Sequence, residues 1–202
     1  YYNDLLIGGT HEGAMTDNQG PQIEIFMDNE QFQNRFINRF CFYLSSLFSE
    51  DYVTSHISNT AENIAPEMPN HITRWGGNLN EWYQNVSGIL EYGIERGEIV
   101  FNQIASYFGL NESSNLYVYA VPPDAGTVSI SGLILPENFW TVEYFNDIPI
   151  RIAAIPYEGY QFVNWQGISG EISNSDSISL ILMGDSTITA VFELIVNNAP
   201  EL

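Results

Sequence analysis

An α+β fold, a helical subdomain followed by a small antiparallel all-β module, is predicted by one change of rhythm along the chain. Through residues 29–110 the apolar side chains recur every three to four positions, the spacing of one helix face. From residue 116 they alternate with polar ones, the spacing of a half-buried strand. The polar joint between the two, residues 111–115, is short and apolar residues resume at once on both sides. It therefore predicts two units in contact rather than beads on a flexible string.

The helices follow in order. Phe32, Phe36, Phe40, Leu44 and Phe48 recur every four positions, widened by Ile37 and Leu47, so a helix over residues 30–48 is expected to pack through that phenylalanine-rich stripe. Asp51 is placed to cap a second helix carrying Val53, Ile57, Ala61 and Ile64, and Pro66 with Glu67 suits the first turn of a short third one, stopped by Gly76 and Gly77. A fourth is expected from Asn80, with Glu81 in its first turn and Trp82, Val86, Ile89, Leu90 and Ile94 on one face, ending at Gly97. The last carries Val100, Ile104, Tyr107 and Phe108 up to Gly109, a glycine suited to the left-handed residue after a helix.

Seven β-branched and aromatic runs come next, at residues 116–121, 127–130, 141–145, 148–155, 160–165, 177–182 and 187–194, with Gly, Pro and Asp clusters between them. They predict a small antiparallel sandwich or barrel-like roll. The expected division is an irregular acidic segment with one strand at 22–27 (residues 1–28), the helical subdomain (29–110), the β module (116–196) and a linker (197–202).

Charge restricts function. Against 25 Asp and Glu stand 5 arginines and no lysine, a net charge of −20. Such a surface repels phosphate backbones and anionic headgroups, so nucleic acid is not an expected partner. Membrane insertion is not expected either, because no apolar run approaches the ~18–20 residues that cross a bilayer. The chain opens without Met in the strand-like Leu5, Leu6 and Ile7, with no basic n-region, and is expected to be a fragment. Cys41 lies in an apolar run and is expected as a small buried hydrophobe, with no second cysteine to pair with.

No catalytic, cofactor or metal residue is expected in the chain. His11, His56 and His71 are far apart and lack metal-ligand spacing, and Glu50-Asp51 and Glu95 with Glu98 lie at helix ends and turns. Calcium stays open as an alternative, on Asp17 with Asn18 or on Asp176 and Asp185, although no spaced Asp-x-Asp-x-Asp run is present. Trp140, Tyr144 and Trp165, with Phe145 and Tyr160, either fill the β core or line a carbohydrate or peptide surface. His71, Arg74, Trp75 and Trp82 are expected as a structural cluster under the helices, with ligand contact as the alternative.

The pattern Phe32, Arg35, Phe36, Arg39, Phe48, then Ile64-Ala65-Pro66-Glu67-Met68-Pro69-Asn70-His71-Ile72-Thr73-Arg74-Trp75, then Trp82, Val86 and Arg96 resembles the C-terminal helical subdomain of CotH-type kinases, over residues 29–110. In that family the phosphoryl-transfer groups lie upstream of these helices, and nothing here matches them. The resemblance therefore implies a non-catalytic portion, with ATP and divalent metal only at the parent's site if that site is complete. The lysine-free composition agrees, since an ATP site needs a positive side chain and metal-holding carboxylates.

The β runs are similar to divergent internalin B-repeats at Val121-Pro122-Pro123, Gly126-Thr127-Val128, Ile150-Arg151-Ile152-Ala153-Ala154-Ile155-Pro156, Glu158-Gly159-Tyr160-Gln161-Phe162-Val163-Asn164-Trp165 and Gly184-Asp185-Ser186-Thr187-Ile188-Thr189-Ala190-Val191-Phe192. Strict alternation separates Trp165 from Tyr160 and Phe162. In such a repeat, however, the strand ends around Asn164, and a bulge there returns Trp165 inward beside Phe162 and Phe192.

Within residues 1–28, Ile7-Gly8-Gly9-Thr10, Asp17-Asn18-Gln19-Gly20-Pro21 and Ile23-Glu24-Ile25-Phe26-Met27 resemble type IX secretion sortases of Bacteroidota, with a seam expected near residues 28–32. Together the resemblances imply a secreted or cell-surface bacterial protein acting as a scaffold, adhesion or presentation module, with a cell-surface or extracellular protein or glycan as partner. A glycan- or protein-binding β-repeat and a part of an active kinase remain the alternatives.

Overall fold

The structure, a computed structural model, describes residues 26–167 and 174–196. Among the described residues, four α-helices lying wholly within them precede eight strands: α1 (Glu30–Leu44), α2 (Glu50–Ile64), α3 (Met68–Trp75) and α4 (Leu79–Phe108), then β1 (Ser113–Val121), β2 (Gly126–Ile130), β3 (Leu133–Ile134), β4 (Phe139–Phe145), β5 (Ile150–Pro156), β6 (Tyr160–Gln166), β7 (Ser177–Leu180) and β8 (Ser186–Leu194). The α+β reading holds.

Caps set the helix boundaries. Asn29 accepts from the Phe32 N–H to open α1, and Ser49, not Asp51, caps α2 by accepting from Tyr52 N–H. The first helix ends at Leu44, four residues earlier than expected, because the Ser45 and Ser46 hydroxyls both donate to the Phe42 carbonyl and the chain turns. Of the expected stripe, Ile37 is buried and Phe36, Phe40 and Leu44 are partly buried against the core, whereas Phe32, Leu47 and Phe48 are exposed, so the fully buried face of α1 is rotated from the stripe. That face runs through Ile37, Asn38, Cys41 and Phe42. Between α2 and α3, Ala65–Glu67 makes a single 3-10 turn.

Gly97 does not end a helix; α4 continues for 30 residues to Gly109, which takes the left-handed conformation (φ 67°). A glycine inside a helix costs about 1 kcal/mol. Here tertiary packing outweighs it: a Cβ on Gly93 would lie 2.8 Å from Val53, so α2 and α4 approach closely along this stretch. The strand expected at residues 22–27 is not continued by Phe26 and Met27, which are helical; its other residues lie outside the described ones.

The strands form two four-stranded sheets, in order β4-β1-β8-β6 and β3-β2-β5-β7. Three differences from the expectation stand out. An eighth, two-residue strand, β3, is present. The expected joint is partly strand, since β1 begins at Ser113. One pairing is parallel, β1 with β8.

A single core joins sandwich and helices. Ile37, Cys41, Phe42, Val100 and Ile104 are buried in one cluster with Leu116, Val118, Val142, Tyr144, Phe145 and Ile152. Phe101 stacks on Phe145 at 4.4 Å, the Trp140 indole N–H donates to Ser45 Oγ at 3.2 Å, and Asn38 Nδ2 donates to the Pro149 carbonyl at 2.8 Å. In contrast, α2, the 3-10 turn and α3 contain no buried residue, and α4 buries only Val100 and Ile104. These elements and the first two-thirds of α4 form an arm.

Candidate functional site

The three aromatics singled out as ligand contacts are not brought together. Trp165 is buried on β6, where the ladder to β8 slips between Phe162 and Asn164. Its ring lies 5.4 Å from Phe162, whose own ring meets Phe192 at 6.0 Å, and its indole N–H donates to the Ser175 carbonyl at 2.8 Å. Tyr144 is wholly buried on β4; burial pushes its phenol well above the ordinary value, and among the described residues its hydroxyl has no hydrogen-bond partner. Trp140 is half-buried at the joint with α1. Near Tyr144, Cys41 is buried and its thiol is pushed up to about 12, chiefly by desolvation.

His71, Arg74 and Trp75 are exposed on α3, and Trp82 is half-buried at the start of α4. The Arg74 guanidinium lies over the ring of its own neighbour Trp75, 5.1 Å from the centroid. The four thus sit along the outside of the arm. Of the residues considered for calcium, Asp185 accepts from the backbone N–H of Asn115 at 2.8 Å, fastening the β7–β8 turn to β1. Asp176 is exposed, and Asp17 and Asn18 lie outside the described residues. Among the described residues no group of three or more His, Cys, Asp or Glu could hold a metal.

A different aromatic surface is exposed, on the outer face of the first sheet. Tyr119 pairs across β1–β4 with Phe139, their rings stacked 4.6 Å apart, and both are exposed. Directly opposed residues share a face. The register therefore sets Tyr117, Thr141 and Thr187 in one row, Tyr119, Phe139 and Thr189 in the next, and Val121 with Val191 beyond. A flat aromatic pair bordered by hydroxyls is a surface on which a sugar ring or a peptide can stack. The run Leu116–Val121 carries the signal for it: Leu116, Val118 and Ala120 are buried while Tyr117, Tyr119 and Val121 are not.

The geometry defines a helical platform built onto a small β-sandwich. Compared with known families, residues 7–100 match the model described as CotH kinase protein, and residues 142–196 match that of the Divergent InlB B-repeat domain. The two matches follow one another along the chain in a CotH-type plus B-repeat arrangement. The first match runs unbroken through residue 28, where a seam was expected, and takes in residues whose short motifs resemble type IX sortases. The second begins inside β4, so β1, β2 and β3 precede it, although β1 is a central strand of the sheet. No match was found among curated proteins or among solved structures. No helix among the described residues is long and apolar enough to cross a membrane.

Proposed function

We propose that this chain is the non-catalytic C-terminal portion of a secreted bacterial CotH-type surface protein, in which the helices serve as a scaffold that presents the B-repeat. The observation that carries this reading is the common core: Phe101 on Phe145, and Asn38 on the Pro149 carbonyl, hold the sandwich against α1 and the end of α4 in one orientation. A module that merely followed a linker would need no such contacts. The arginines are spent on other tasks than a phosphate clamp. Arg74 covers Trp75, Arg96 lies over Tyr92 at 5.7 Å, and Arg35 and Arg39 sit among phenylalanines. Any ATP and divalent metal would belong to parent residues beyond this chain.

The test is orientation. Probes on cysteines introduced by Asn80→Cys at the arm and Gln161→Cys on β6 should give one narrow distance distribution by pulsed electron spin resonance; the buried Cys41 stays unlabelled. A broad distribution would sink the presentation role. Incorporation of label from ATP with divalent metal above a heat-killed control would overturn the non-catalytic reading.

A second reading, a glycan- or protein-binding β-repeat, is favoured by the exposed Tyr119–Phe139 stack. Replacing Tyr119 and Phe139 by Ala should abolish capture by a glycan or extracellular-matrix array, a loss on the order of 1–3 kcal/mol for two stacking rings. The melting temperature should shift little.

A further inference from the structure

The outer face of the β4-β1-β8-β6 sheet is ordered across its strands. The register carries the Phe139–Tyr119 row on through Thr189 of β8 to Gln166 of β6, and the following row runs Val121, Val191, Asn164. Two aromatic rings, a hydroxyl and an amide thus succeed one another over four strands spaced about 4.8 Å apart. The rings stack at 4.6 Å with their planes 28° apart, so each spends one face on the other. Phe139 lies on the β4 side of Tyr119, and the free face of Tyr119 is therefore the one towards β8. There Thr189 is half-buried and Gln166 exposed.

Charge and backbone narrow what can bind there. In a chain of net charge −20, no residue of the rows that begin at Thr141, Phe139 and Val121 is charged at neutral pH. The carboxylates at the two ends of the face are engaged within it, Glu143 accepting from Ser113 Oγ and Glu193 from Gln161 Nε2. An anionic ligand would meet those carboxylates and no cation, so the face suits a neutral one. The strands β1 and β8 are the inner pair of the sheet, with a neighbour on either side. An extended peptide joins a sheet through a free strand edge, and on this face it would find side chains only. A sugar needs no such edge: its C–H face lies on an aromatic ring and its hydroxyls bond to threonine and glutamine. The three rows cover about 13 Å along the strands, enough for a short oligosaccharide.

We propose that this face binds a neutral oligosaccharide, with one sugar ring stacked on the free face of Tyr119 and its hydroxyls hydrogen-bonded to Thr189 and Gln166, while Phe139 backs the tyrosine ring. The assignment rests on the glycan-binding reading of the Tyr119–Phe139 surface and narrows it to one ligand class and one set of contacts. Thr187 in the row before and Val191 in the row after extend the site to the neighbouring sugar units.

The test is a titration of the full, nitrogen-15-labelled chain, followed by amide resonances, with the neutral hexaoses of cellulose, xylan, mannan and amylose, and with hexagalacturonate and an uncharged peptide as contrasts. At least one neutral hexaose should shift the resonances of Tyr119, Thr189 and Gln166. Tyr119→Ala should weaken that binding about tenfold, and Thr189→Val, which keeps the side chain's shape and the strand, about fivefold. Both variants should keep the spectrum of the unmodified chain elsewhere, and Thr189→Val decides alone if Tyr119→Ala does not fold. Binding of hexagalacturonate or the peptide instead, weakened by Tyr119→Ala, would overturn the neutral sugar while leaving the aromatic surface as a binding site. A neutral hexaose held equally well by Thr189→Val and by Gln166→Ala would overturn the contacts proposed. Silence from every probe would overturn both the proposal and the glycan-binding reading beneath it.

Discussion

The two ends of α4 belong to different kinds of structure. From Val100 onward the helix is part of a core in which Ile104 is fully buried and Phe101 stacks on a strand residue. Before Val100 the same helix buries nothing completely, and Tyr83, Ile89, Tyr92 and Ile94 are exposed. A continuous element thus spans a tightly packed region and a thin two-helix arm held by α2. Helical order in the arm comes from caps and from one line of contacts, and in the sandwich from burial on many sides.

The largest effect expected from this contrast is at Trp165. Trp165→Ala removes a buried indole and its hydrogen bond, a cost of roughly 3–5 kcal/mol. Because α1 and the end of α4 share the core, helical circular dichroism and tryptophan fluorescence should melt together at the lowered temperature. A helical signal that outlasts the β signal would show two independent units.

On α4 itself the contrast can be measured within one element. Ile104→Ala should cost about 2–4 kcal/mol, whereas Leu90→Ala, half-buried in the arm, should cost about 1 kcal/mol. Equal losses by urea titration would mean that the arm is packed as tightly as the sandwich.

Alkali offers a third probe. The buried thiol of Cys41 is raised from 9.0 to about 12, so its contribution is complete below pH 9 and is lost as pH rises towards 12, where the unfolded chain ionises and the folded one does not. Tyr144, also raised, acts in the same direction. Stability should fall by up to about 1.4 kcal/mol per pH unit for each group in that window. Cys41→Val should flatten the slope seen in denaturant midpoints between pH 9 and 11. An unchanged slope would remove Cys41 as its source.

The smallest effects are at two glycines of the arm. A Cβ on Gly88 would meet nothing within 4 Å, so Gly88→Ala should stabilise by about 0.5–1 kcal/mol through helix propensity. Gly93→Ala gains the same propensity but drives a methyl to 2.8 Å from Val53, and its melting temperature should fall. A rise at both would mean that α2 yields freely.

How much of this could be read beforehand depends on range. The helices were legible because their rhythm is local, and so was the fastening of Trp165 once a slip near Asn164 was allowed. The packing face of α1 was legible only in part: Ile37, Phe36, Phe40 and Leu44 do meet the core, but the sandwich moves full burial onto Asn38, Cys41 and Phe42 as well and leaves Phe32, Leu47 and Phe48 exposed. The end expected at Gly97 failed because a local propensity was outweighed by contacts with α2. In Leu116–Val121 both alternating sets are apolar, so hydropathy left the inward side undecided and the Tyr119–Phe139 surface unseen. The parallel partner of β1 lies about seventy residues away, beyond the reach of any pattern in β1 itself.

That parallel pair has a mechanical consequence. Since β1 and β8 run side by side in the same direction over six paired positions, the chain enters the module at the foot of one strand and leaves at the head of its neighbour. Tension along the polypeptide would pull β1 and β8 past each other and load their hydrogen bonds together in shear, rather than opening them one at a time like a zip. The sandwich is therefore built as a clamp, and under a stretching force its lifetime would be governed by the rupture of that central ladder.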